Sequence, residues 1–134
     1  MTRGWVACCQ NQPATAIHAL EHAIRLSPLD PLGFFFKGGL ALAHLAAGQY
    51  QEAAEWSNRC WREYPRYRTA LRIRIVSCAH LGRVEEARNG VARLLEFDPK
   101  SSIARFIAGV TGYYPPELMT VFVDGYRKAG LPEN

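Results

Sequence analysis

Hydrophobic residues recur along this chain every three or four positions, which is the spacing of one face of an α-helix. A clear example is the apolar stripe formed by Ala16, Ile17, Leu20, Ala23 and Ile24. The same spacing continues through most of the chain, and no segment alternates convincingly between apolar and polar residues as a half-buried strand would. The pattern therefore predicts an all-α protein of about eight helical segments.

Three landmark residues, a glycine, an alanine and a proline, recur along the sequence in the same order. They are Gly48, Ala53 and Pro65, and then Gly82, Ala87 and Pro99, each 34 positions after its counterpart. A glycine readily takes the left-handed conformation that ends a helix, and a proline stops the next helix. A small alanine between them allows two helices to approach closely. The sequence therefore predicts helical hairpins with a 34-residue period.

This helix–turn–helix period resembles the tetratricopeptide repeat. The resemblance implies an all-α, right-handed α–α superhelix of about three helical hairpins with a C-terminal capping helix. We expect a single domain over residues 1–134. Its predicted parts are a partial repeat at 1–33, repeats at 34–67 and 68–101, a half repeat at 102–112, and the capping helix at 116–129.

Two segments carry a narrower resemblance. "AIRLSPLDPL" (Ala23–Leu32) and "YRKAGLPE" (Tyr126–Glu133) look like the C-terminal tetratricopeptide region of bacterial class III adenylate/guanylate cyclase-like proteins. Related tails occur on winged-helix transcriptional regulators. The resemblance implies the regulatory or scaffolding tail of a longer bacterial polypeptide, and we expect residues 3–10 to be the end of a truncated first helix.

Composition is ordinary for one globular domain, with 134 residues of which 49% are hydrophobic. The formal net charge of +4 is too small to indicate nucleic-acid binding by itself. None of the four cysteines (Cys8, Cys9, Cys60 and Cys78) belongs to a CxxC pair, so neither a zinc site nor a disulfide framework is predicted. Free buried thiols are the better interpretation, and they favour a reducing cytoplasm.

Neither a membrane segment nor a secretory signal is predicted. The most apolar stretch, residues 32–47, is interrupted by Lys37 and His44 and is shorter than the roughly 20 residues of a spanning helix. The N-terminus lacks the basic run, apolar core and cleavage site of a signal peptide. A buried helix explains the apolar stretch better.

Catalytic chemistry has little support in the sequence, and we predict no catalytic, cofactor or metal site. No nucleophile elbow, Gly-rich phosphate loop or paired-acid signature is present. The pair Gly38-Gly39 falls inside a predicted helix, where it favours a close helix contact. His18 and His22 are four residues apart on one helix, but a metal needs a third ligand and the local spacing offers none. We therefore expect this chain not to be an enzyme.

In the tetratricopeptide family, the first helices of the repeats line a concave groove that holds a peptide or a helix. By repeat register, Phe35 and Leu42 from the second repeat and Arg72, Val76 and His80 from the third should face this groove. Arg72 would hold a carboxylate, and the apolar side chains would anchor a partner. The prediction is a protein or peptide partner of unknown identity.

Two considerations qualify the groove prediction. The family's readers of chaperone tails use Lys and Asn at groove positions that here carry Gly38, Leu42 and Ile73, so that peptide class is disfavoured. The groove residues could equally pack against the capping helix or a second chain. In that case no open groove would remain.

Two alternative functions stay open from the sequence. The basic stretch Arg59–Arg74 contains six arginines among aromatic residues, which could hold phosphates and stack on bases. This stretch crosses a helix junction, however, so a solvated surface is the better interpretation. A homodimer is the other alternative, because Trp5, Val6 and Cys8 would lie on an exposed apolar edge.

Overall fold

The structure is a computed structural model that describes residues 13–26, 33–111 and 114–134. Within these ranges it contains seven α-helices and no β-strand, which confirms the all-α prediction. The helices are α1 (Pro13–Leu26), α2 (Gly33–Ala46), α3 (Tyr50–Glu63), α4 (Arg68–His80), α5 (Val84–Phe97), α6 (Ile103–Val110) and α7 (Pro116–Ala129).

Two complete hairpins, α2–α3 and α4–α5, form the middle of the molecule. Their turns are built on Gly48 and Gly82, whose φ angles are 77° and 80°. Only glycine takes this left-handed conformation without steric cost. In both turns the residue after the glycine donates its N–H back into the helix, from Gln49 to the His44 carbonyl and from Arg83 to the Cys78 carbonyl, each at 2.9 Å. The predicted glycine turns are confirmed.

The repeated alanines lie where helices approach closely. Ala16, Ala53 and Ala87 are each completely buried, as the landmark pattern predicts. A larger side chain at these positions would force the helices apart, at a cost of about 1–3 kcal/mol. These alanines therefore set the spacing between the second helix of each repeat and its neighbours.

Helix α4 is the centre of the fold. It packs against α3, α5 and α7 and also touches α2. Most of its side chains are buried, on every side of the helix: Ala70, Leu71, Ile73, Ile75, Val76, Ser77, Cys78 and Ala79. A helix that is apolar all round needs cover on all sides. The C-terminal helix supplies part of that cover.

Helix α7 has the bounds predicted for the capping helix. It packs most extensively against α4 and also touches α2, α5 and α6. Its close approach depends on Gly125, since a Cβ there would lie only 2.7 Å from Val76 Cγ1 and 3.0 Å from Val76 Cα. Helix α7 thus lies over the side of the array formed by the first helices of the two hairpins.

Helix α6 covers part of the region predicted as a half repeat. Its backbone lies beside α7, not beside α4 or α5, where the first helix of a further repeat would stack. The chain end holds it there, because Ile103 and Ala104 donate their N–H groups to the carbonyls of Pro132 and Glu133, both at 2.9 Å. Ser102 caps the helix by accepting from the Arg105 N–H at 3.1 Å.

Several predictions lie outside the described residues. They concern the first helix at 3–10, the thiols of Cys8 and Cys9, and the apolar edge at Trp5 and Val6. Of the predicted buried thiols, those of Cys60 and Cys78 are confirmed as free and buried. In the described part of the chain, no helix has the length and hydrophobicity that crossing a membrane requires.

Candidate binding cleft

Two of the five predicted groove residues do not face an open groove, and this part of the prediction is wrong. Leu42 and Val76 are completely buried. Val76 lies directly under Gly125 of α7, and Leu42 belongs to the same continuous core. The physical reason is that α7 packs over Val76, while Leu42 lies in α2, which packs against α1 and α3 and also touches α4 and α7.

His80 is partly buried and already has partners. Its ring stacks on Tyr50, with centroids 4.7 Å apart and an interplanar angle of 14°. Its Nε2 lies 2.8 Å from the carbonyl oxygen of Val121, so Nε2 carries the proton and donates. His80 therefore ties α4 to α7 and is not free to hold a partner.

Phe35 is partly buried and contacts Tyr67, which lies in the connection between α3 and α4, with ring centroids 5.9 Å apart. Gly38 packs against the same tyrosine, because a Cβ at this glycine would lie 2.7 Å from Tyr67 Cε2. The glycine pair in α2 thus provides a close packing contact. Phe35 lies away from the residues that surround Arg72, so the predicted groove residues do not form one site.

Arg72 is the predicted residue that lies in a cleft. The cleft separates α4 and α5 from α6 and α7 and has a volume of about 320 Å³. This volume is at the lower end of the range of small-molecule sites. We call it the arginine cleft, and its polar residues are Arg68, Arg72, Asp98, Ser101, Ser102, Arg105 and Tyr126.

The charges in the arginine cleft are not balanced. Arg105 Nη1 lies 3.1 and 3.0 Å from the two carboxylate oxygens of Asp98. Desolvation acts to raise the pKa of Asp98, but the N–H of Lys100 and the guanidinium groups of Arg105 and Arg68 outweigh it and lower the pKa. Asp98 is therefore ionised at neutral pH and neutralises one of the three guanidinium groups.

Two hydroxyl groups beside these charges have no hydrogen-bond partner in the described part of the chain. Ser101 Oγ and the phenol oxygen of Tyr126 are both fully buried and unpaired. Burial raises the pKa of the Tyr126 phenol and the nearby Arg72 guanidinium acts in the opposite direction, so this phenol keeps its proton at neutral pH. A buried hydroxyl without a partner costs about 1–3 kcal/mol, which makes two in one cleft notable.

The base of the arginine cleft is apolar and well packed. Phe106 lies at its centre, with its ring centroid 4.9 Å from that of Phe122 and 5.2 Å from that of Tyr126. Leu94 and Leu131 complete the apolar lining, and both are buried.

The basic stretch Arg59–Arg74 does not form one surface. Arg59 lies 5.0 Å over the ring of Trp56. Arg68 and Arg72 line the arginine cleft, whereas Arg74 lines a separate pocket with Glu86. The stretch therefore supplies two guanidinium groups to the cleft and offers no continuous basic track for a nucleic acid.

The buried thiols are poor candidates for chemistry. Cys60 Sγ donates to the Phe34 carbonyl at 2.8 Å, and burial, followed by the Glu63 charge, raises the pKa of the thiol to about 12. A neutral thiol is a weak nucleophile and a weak metal ligand. In the described ranges, no three His, Cys, Asp or Glu side chains are grouped so that they could hold a metal ion.

Sequence reasoning identified Arg72 but missed most of the arginine cleft. Asp98 and Arg105 pair at a separation of seven residues, and Ser101 lies between them in the sequence. Tyr126 sits in the apolar stripe of α7, where its sequence position predicts only core packing. The one available signal was the density of polar residues between α5 and α6, which normally indicates a loop.

Residues 2–60 match the family model described as tetratricopeptide repeat. The match supports a tetratricopeptide repeat protein, and its described part contains α1, α2 and most of α3. The hairpin α4–α5 lies beyond the matched residues but repeats the same glycine turn. No curated protein and no solved structure matches this chain.

Proposed function

We propose that this chain is a non-catalytic scaffold that binds another protein, and that the arginine cleft is where it holds that partner. Tetratricopeptide repeats generally serve as protein-interaction modules, and residues 2–60 match that family. The observation that carries the proposal is the cleft itself. It combines an apolar base with guanidinium groups that have no ion-pair partner among the described residues.

Arg72 is the principal charged anchor in this proposal. It is partly buried, so an ion pair formed there is less screened by solvent than one on an open surface. Arg68, on the preceding turn of α4, lines the same cleft and presents a second guanidinium group. Guanidinium groups bind carboxylates and phosphates through paired hydrogen bonds, which adds geometric specificity to charge attraction.

The test is affinity capture with three immobilised versions of the chain as baits: wild type, Arg72→Glu and Arg88→Glu. Arg88 is an exposed arginine of α5 outside the cleft, so its variant makes the same charge change at a different place. We expect wild type and Arg88→Glu to enrich the same protein and Arg72→Glu to lose it. Isothermal titration calorimetry with that purified protein must then give the same order of affinities. Equal capture by all three baits would contradict the proposal.

We also propose that this chain is part of a longer polypeptide. The segments Ala23–Leu32 and Tyr126–Glu133 support a regulatory C-terminal tail of a longer, bacterial and cytoplasmic polypeptide, either cyclase-like or a transcriptional regulator. The reading frame that contains this segment tests it directly. A nucleotide-cyclase or DNA-binding domain encoded upstream would support the proposal, and a frame with neither domain would contradict it.

A further inference from the structure

The arginine cleft has a charge that a single carboxylate would not balance. Three guanidinium groups and one carboxylate surround it, so its formal charge is +2. Asp98 is committed to Arg105, while Arg68 and Arg72 have no ion pair among the described residues. The uncompensated charge is therefore concentrated on one side of the cleft, along neighbouring turns of α4.

The unpaired hydroxyls extend the same pattern. Ser101 Oγ and the Tyr126 phenol are buried, lack partners and belong to the walls of the cleft. Each can donate one hydrogen bond to an acceptor. A ligand that satisfies all these groups needs two negative charges and several acceptor oxygens within a small volume.

We propose that the arginine cleft binds a phosphate monoester dianion, with Arg68 and Arg72 neutralising its charge and Tyr126 and Ser101 donating to its oxygens. A phosphate monoester carries a charge of about −1.5 to −2 at neutral pH and presents three acceptor oxygens. A carboxylate carries one charge and two oxygens, so it would leave one guanidinium group unpaired. The apolar base, with Phe106 and Leu131, accommodates the organic group of the ester.

The inference goes beyond protein binding and does not depend on it. The same phosphate chemistry occurs in a free small-molecule monoester and in a phosphorylated side chain of a partner protein. Failure of the capture experiment would leave phosphate binding intact. Failure of phosphate binding would likewise leave a carboxylate-bearing protein partner in place.

Isothermal titration calorimetry at low ionic strength tests the inference with three probes: phenyl phosphate, benzoate and a phosphoserine peptide. We expect the wild-type chain to bind phenyl phosphate at least about tenfold more tightly than benzoate, because the second charge adds a charge-assisted contact. Absence of phenyl phosphate binding, or equal affinity for benzoate, would overturn the proposal. Tighter binding of the phosphopeptide than of phenyl phosphate assigns the phosphate to a partner protein, and equal affinities assign it to a free small molecule.

Three variants locate the binding. Arg72→Gln should weaken phenyl phosphate at least about tenfold, whereas Arg88→Gln, outside the cleft, should leave it within about twofold. Tyr126→Phe keeps the buried ring and removes only the unpaired hydroxyl, so it should weaken binding severalfold without lowering the melting temperature. Phenyl phosphate binding that is unchanged in both Arg72→Gln and Tyr126→Phe would show that the phosphate binds elsewhere.

Discussion

The contacts that stabilise the two complete hairpins differ in kind from those that stabilise the two C-terminal helices. In α2–α3 and α4–α5, each turn is set by its own glycine and by hydrogen bonds within a few residues. Helices α6 and α7 depend on partners far away in the sequence, such as Val76 for Gly125 and the chain end for the start of α6. Local landmarks therefore specify a hairpin, whereas complementary surfaces specify what stacks on it.

This difference determines where the recess lies that we propose as the partner site. The first helices of the hairpins would present Val76 and its neighbours as an apolar face if nothing covered them. Because α7 covers that face, the arginine cleft lies beside it, where it separates α4 and α5 from α6 and α7. There the polar residues of the connection between α5 and α6 meet two arginines of α4.

The largest expected effect comes from truncating the side chain of Phe122 in α7. Phe122 is almost completely buried against Phe106 and Tyr126, so Phe122→Ala should lower the free energy of unfolding by about 3–5 kcal/mol. Phe97 in α5 is 38% exposed, and Phe97→Ala should cost about 1 kcal/mol or less. Urea denaturation of both variants measures the contrast. Equal losses would mean that α7 is not packed as described.

The close approach of α7 to α4 gives a second prediction. Gly125→Ala places a Cβ against the backbone of Val76, so it should destabilise the protein by about 1–3 kcal/mol. Gly109 in α6 is the matched control, because no atom of the described residues lies within 4 Å of a Cβ built there. Gly109→Ala should stabilise the fold by about 0.5–1 kcal/mol through backbone entropy. Stabilisation by both substitutions would rule out the close contact.

His44 and His80 allow a hydrogen bond within one turn to be compared with a hydrogen bond between distant helices. His80→Phe keeps an aromatic ring next to Tyr50 but loses the hydrogen bond to Val121, which should cost about 1 kcal/mol. His44→Phe loses only the bond to Gln49, five residues away in its own turn. In hydrogen–deuterium exchange, His80→Phe should reduce amide protection in α7, and His44→Phe should leave α7 unchanged. The reverse pattern would contradict the role of His80.

The smallest expected effect is a pH dependence that arises in the α2–α3 hairpin. The pKa of Cys60 is raised from 9.0 to about 12 in the folded state, so above pH 9 the unfolded chain loses a proton that the folded chain keeps. The free energy of unfolding should thus be unaffected by this group below its unfolded pKa. It should then fall by less than about 1 kcal/mol between about pH 8 and about pH 9.5. Cys60→Ser retains a donor to Phe34 and should flatten this slope in urea denaturation at several pH values, whereas an unchanged slope would exclude Cys60 as its source.

The hairpins could be predicted from the sequence, but the packing of α7 against α4 could not. Gly48, Gly82 and the alanine positions carry their structural role in their own residue type, so a period of 34 was enough to find them. Gly125 and Tyr126 look like ordinary members of an amphipathic helix, and their roles exist only after α7 meets α4. Arg72 was identified by repeat register, but Leu42 and Val76, which were identified in the same way, are buried. Val76 is buried because α7 packs over it.

The contact between Val76 and Gly125 offers the most direct test of this account. Val76 Cγ1 lies 2.7 Å from the position that a Gly125 Cβ would take, which is the direction of one Gly125 Hα. In a methyl-labelled sample, we predict a strong nuclear Overhauser effect between the Val76 methyl protons and that Hα. Its absence, with Val76 instead exposed to solvent, would mean that α7 leaves the first helices uncovered and that the apolar groove is open.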